Sequence, residues 1–177
     1  IMAAKHVFVP VDAGIFAAVS LVAKAPIFLS WLVAGMMFPK VSRLYAQGKR
    51  GTGLLEHSVI LVSAVGVVMT LAFLFVANPI LTFMFGSSYA LGPIVGFYCF
   101  AMTMIALSML LFTYLLAIGK HGASFALPLF VIALLALLVL LHGSLVQIML
   151  IVMLVSTVLA AYSVYVSRDM IDFDYFI

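Results

Sequence analysis

Chemistry in this chain could start at Lys24, the one charged residue in the apolar run from Ala13 to Phe38. A charge near the centre of a bilayer costs roughly 3 kcal/mol on insertion scales. Such a charge is tolerated where it meets a water-filled cavity, a carboxylate or an anionic substrate. Ser20 lies one turn earlier on the same face and could line the same cavity. Pro26, two residues later, removes a backbone donor and is expected to kink the helix. The competing reading is that the span tilts and Lys24 snorkels to the surface or pairs structurally.

The remaining polar residues offer little. There is no GxSxG, HExxH, P-loop or paired His/Cys spacing. The five acids, Asp12, Glu56, Asp169, Asp172 and Asp174, fall near the ends of apolar runs. A carboxylate pair for acid–base work would need two at one site. His57, His121 and His142 also fall at run ends, where polar residues belong. Cys99, the only cysteine, sits in an apolar run, suits the role of a small filler and excludes an intrachain disulfide. No catalytic residue, metal or cofactor is expected.

The elements that must carry Lys24 follow from composition. The 177 residues are 68% hydrophobic and 7% charged, with a mean hydropathy of +1.41. Soluble domains are about 25% charged. The solvent is therefore lipid, and the lipid bilayer is the first partner. Apolar runs of about 20 residues indicate helices rather than the alternating strands of a barrel. The expected fold is all-α, a polytopic transmembrane bundle of about five spans in one domain, 1–177. The net charge of +3 sits at span ends, with no basic patch interleaved with aromatics, so nucleic acid is not an expected partner.

The first span is read at 12–38, with Gly14 and Ala18 on one face for close helix contact. Pro39 is expected to stop it. Residues 39–50 then form an amphipathic cytoplasmic segment at the membrane surface. Val41, Leu44 and Tyr45 make its apolar face, and Lys40, Arg43 and Gln47 its polar one. Gly48, Gly51 and Gly53 break it, and Thr52 or Gly53 caps the next helix, with Glu56 in its first turn. The second span is read at 55–77, ended by Asn78-Pro79, with an interfacial loop over 78–92. The third is 93–118, where Gly92 and Gly96 form a GxxxG pair. The fourth is 124–141 and the fifth 145–166, with Tyr162 and Tyr165 as interfacial anchors. The tail, 167–177, is expected at the surface.

Four of the eight Lys and Arg residues, Lys40, Arg43, Lys49 and Arg50, lie between the first and second spans. Lys120 and Arg168 fall on the same side of a five-span chain, against Lys5 on the other. The positive-inside rule makes the richer side cytoplasmic, and with it the C-terminus. The basic segment then mainly fixes orientation. It could also draw in an anionic lipid head group. The chain opens at Ile1 without a signal-peptide pattern, which suggests a fragment of a longer protein, with Met2 as an alternative start.

With the spans placed, the chain resembles the C-terminal part of the polysaccharide export flippases. These belong to the superfamily of multidrug, oligosaccharidyl-lipid and polysaccharide exporters. The resemblance rests on the small-residue-rich first span ending in Phe38-Pro39-Lys40-Val41-Ser42, on Phe85-Gly86 followed by Tyr89, and on the closing block of three spans with short turns. In that family a Phe-Pro motif closes the eighth of twelve helices at the cytoplasmic face. The resemblance implies two helical bundles around a central cavity and alternating access. It also implies a lipid-linked oligosaccharide substrate for cell-surface polysaccharide synthesis at the inner (cytoplasmic) membrane. About five spans are present, so the N-terminal bundle of the same protein would be the missing partner. An ion-coupled drug or small-molecule extruder of the same superfamily is the nearest alternative. A membrane enzyme or a purely structural subunit ranks behind both.

Overall fold

The computed structural model describes residue 17 and residues 20–49, 51–85, 94–140 and 145–173. Among these there are helices and turns but no strand. The long helices are α1 (Ala25–Ala46), α2 (Thr52–Phe85), α3 (Ile94–Ala117), α4 (Ala126–Leu140) and α5 (Leu145–Phe173), with a short 3-10 segment, His121–Phe125, before α4. Four helices are long and apolar enough to cross a membrane. The fifth, α4, has 15 residues and none of them buried. At 1.5 Å per residue it reaches about 22 Å, and the 3-10 segment before it adds about 10 Å, enough together to carry the chain back across between α3 and α5. The chain is thus a multi-pass helical membrane protein.

Helix α3 is the post around which the others pack. It touches α1, α2 and α5, and 61% of its span is buried against 22% for α2. The core forms two layers along it. One joins Ala23, Phe73, Ala77 and the first half of α3 to Ile148, Met149 and Val152. The other joins Val33, Met37, Val41, Leu55 and Val62 to the second half of α3, from Ala106 to Ile118, with Leu159 and Tyr162 against it. Early α1 and early α5 therefore meet early α3, while late α2 does. Helices α1, α3 and α5 run parallel, and α2 runs against them.

Two glycines set the α2–α3 spacing. A Cβ on Gly66 would collide with the Thr103 side chain, and one on Gly96 would lie 2.5 Å from Leu74 Cγ. Gly96 is thus a packing point, as its small size suggested, whereas Gly92 lies outside the described residues.

Several boundaries differ from the sequence expectation. Pro39 does not stop α1, which continues to Ala46. Pro79 does not stop α2, which continues to Phe85. A proline costs one helical hydrogen bond and about 3 kcal/mol. In lipid, leaving the helix exposes many more backbone groups with no water to satisfy them. The basic segment is therefore the last turns of α1, not a separate surface helix. Val41 is fully buried, but Tyr45 is exposed, so the proposed apolar face is only partly used. Gly51, not Thr52 or Gly53, precedes α2, its carbonyl accepting from the Leu54 and Leu55 amides. The tail continues α5 to Phe173, with Ser167 buried, instead of leaving for the surface at 167. Tyr165 is exposed, as an anchor would be, while Tyr162 packs on Phe130 at 5.8 Å.

Candidate functional site

Pro26 has no N–H to offer the carbonyl of Val22 four residues back, so the helical ladder is interrupted there. The interruption appears at Lys24. Residues 20–23 are helical, Lys24 is a turn, and helix resumes at Ala25. Lys24 keeps φ −80° and ψ −2°, and its carbonyl accepts from the Ile27 amide at 2.9 Å and the Phe28 amide at 3.3 Å. The Lys24 side chain is half-buried. Among the described residues no carboxylate pairs with it.

The depth of Lys24 follows from register. Ser20 Oγ donates to Tyr98 Oη at 3.4 Å, Ser30 Oγ to the Ala106 carbonyl at 2.7 Å, and Trp31 Nε1 to Met109 Sδ at 3.2 Å. The separations are 78, 76 and 78 residues, a near-constant offset between parallel helices. The same offset sets Lys24 level with Ala101, about 10 Å along the axis from the start of α3. Lys24 therefore sits between the end where α3 begins and the middle of that helix. About 24 Å of helix separates it from Lys40.

Ser20 is only 1% exposed. Its hydroxyl is turned into the bundle towards Tyr98, so it does not share an open surface with Lys24. Lys40, Arg43 and Lys49 are exposed at the other end of α1, and Arg50 lies outside the described residues. The structure therefore separates the intramembrane cation from the basic segment.

Sequence reasoning passed over Ser30, a fully buried hydroxyl bonded across to α3. It also passed over Thr70, a buried hydroxyl on α2 that faces the Cys99 thiol of α3. Thr70 lines a cavity of about 370 Å³ between α2 and α3, with Ser63 and Thr103. Isolated Ser and Thr residues in an apolar run carry no pattern that separates a cross-helix bond from the common bond to the carbonyl four residues back, as in Thr103 to Cys99. Among the described residues no three His, Cys, Asp or Glu side chains gather to hold a metal ion.

Compared with known protein families, curated proteins and solved structures, the chain matches none.

Proposed function

We propose that this chain is one bundle of a membrane flippase that carries a lipid-linked oligosaccharide across the cytoplasmic membrane by alternating access. The observation that carries this reading is Lys24 itself, a half-buried cation beside Pro26 in a helix long and apolar enough to cross a membrane. A cation inside a span is costly unless it works. Lys24 would hold the diphosphate or an acidic sugar while the lipid tail stays in the bilayer, and rocking against the other bundle would change the side of access. No bond is made or broken, so no catalytic group is required.

The orientation belongs to the same proposal. Helices α1 and α3 are parallel and end alike. Gly48 and Gly119 have positive φ, and Lys49 and Lys120 donate back to the Leu44 and Leu115 carbonyls at 2.9 Å. Arg168 lies near the same end of α5. This shared basic end is the cytoplasmic one on the positive-inside rule.

The test is replacement of Lys24 by Ala in the full-length protein, with surface polysaccharide as the readout. Export should fall at least tenfold with protein level unchanged, and Lys24→Arg should keep most of it. Wild-type export in Lys24→Ala would end the cavity role.

A further inference from the structure

We propose that the cleft between α1 and α2 at the basic end binds one anionic glycerophospholipid of the adjoining leaflet. The site is independent of the flippase reading and some 24 Å of helix away from Lys24. The cleft has a volume of about 210 Å³, with Met36, Met37, Leu54 and Leu61 among its walls and Lys40 and His57 beside them.

The parts are arranged as a lipid would need them. Met36 is 55% exposed and Leu61 48% exposed, so these walls face outward from the described helices, while the buried Met37 closes the cleft from the core. Lys40 and His57 are exposed where α1 nears its end and α2 has just begun. An acyl chain laid along the walls would bring its phosphate to Lys40. His57 Nδ1 lies 2.6 Å from the Gly53 carbonyl. A carbonyl only accepts, so Nδ1 carries the hydrogen, and Nε2 of the neutral ring is an acceptor that offers a phosphate no hydrogen bond. In the imidazolium form Nε2 donates as well. Arg43 is exposed one turn after Lys40 but does not line the cleft. Glu56 is exposed next to His57 in sequence but is not among the residues lining the cleft.

Charge and walls together select the occupant. A soluble anion gains nothing from four apolar side chains, and a zwitterionic lipid sets a cationic ammonium beside Lys40, which offsets what its phosphate gains. Each cation near the surface favours an anionic lipid about fivefold.

The experiment is native mass spectrometry of the full-length protein with phosphatidylglycerol or phosphatidylcholine added in detergent. Phosphatidylglycerol should be retained about fivefold better than phosphatidylcholine. Lys40→Gln with His57→Gln should abolish the preference at one bound lipid, and Lys49→Gln should leave it. Leu61→Trp, which fills the cleft and keeps the charges, should also lose the lipid, and excess inorganic phosphate should not displace it. Equal retention of both lipids would overturn the proposal, as would an equal loss in Lys49→Gln. Retention in Leu61→Trp would reduce the site to surface charge. Displacement by phosphate would make it a free-anion site.

Discussion

The Ser30 hydroxyl donates to the Ala106 carbonyl at 2.7 Å, and both residues are fully buried. This bond helps set the register of α1 on α3, and that register places Lys24 level with Ala101. Replacing Ser30 by Ala removes the bond and leaves little void. In membranes such bonds average about 0.6 kcal/mol and reach about 1.7. Ser30→Ala should destabilise the protein by about 1 kcal/mol in a detergent-unfolding titration. An unchanged midpoint would mean that apolar packing alone holds α1 in place.

Gly66 and Gly35 predict opposite outcomes for the same change. A methyl at Gly66 would run into Thr103, with its Oγ1 at 2.8 Å, whereas a methyl at Gly35 would meet nothing within 4 Å. Gly66→Ala should cost about 1–3 kcal/mol through forced separation of α2 and α3. Adding Thr103→Ala should recover part of that loss. Gly35→Ala should be neutral or stabilising by up to about 1 kcal/mol, since glycine is a poor helix former. Thermal unfolding of the three variants checks the pattern.

The fold class was legible because apolar runs in lipid leave few choices. The third span, expected at 93–118, matches α3 at Ile94–Ala117, since Gly119 supplies a local stop signal. The ends of α1 and α2 were not legible. Pro39 and Pro79 carry the strongest stop signal a residue can give, yet the need to satisfy the backbone in lipid overrides it. The site was legible only in part. The sequence singles out Lys24, but the partner of Ser20 is Tyr98 on α3, 78 residues away. No local spacing encodes that contact.

Gly48 and Gly119 hold φ of 69° and 78°, a region that costs other residues roughly 1 kcal/mol or more. Gly48→Ala and Gly119→Ala should each lower stability by about 1 kcal/mol. Gly53 has no positive φ and open space around it, so Gly53→Ala should be tolerated. Equal losses at all three positions would trace the effect to helix-end charge or solvation instead of backbone conformation.

Parallel packing of α1 and α3 makes a prediction about topology that any single loop would not. Gln47, at the end of α1, is exposed, and Lys120, just past the end of α3, is half-exposed. Because the two helices run the same way, cysteines at these positions must share one side of the membrane, whichever side it is. The cation count adds which side: both should resist an impermeant maleimide in intact cells and react once the cytoplasmic face is opened. Cys99 is fully buried and should contribute no background. Labelling of both from outside would invert the orientation and leave the helical packing intact. Labelling of the two from opposite sides would contradict the parallel register itself, and with it the depth assigned to Lys24.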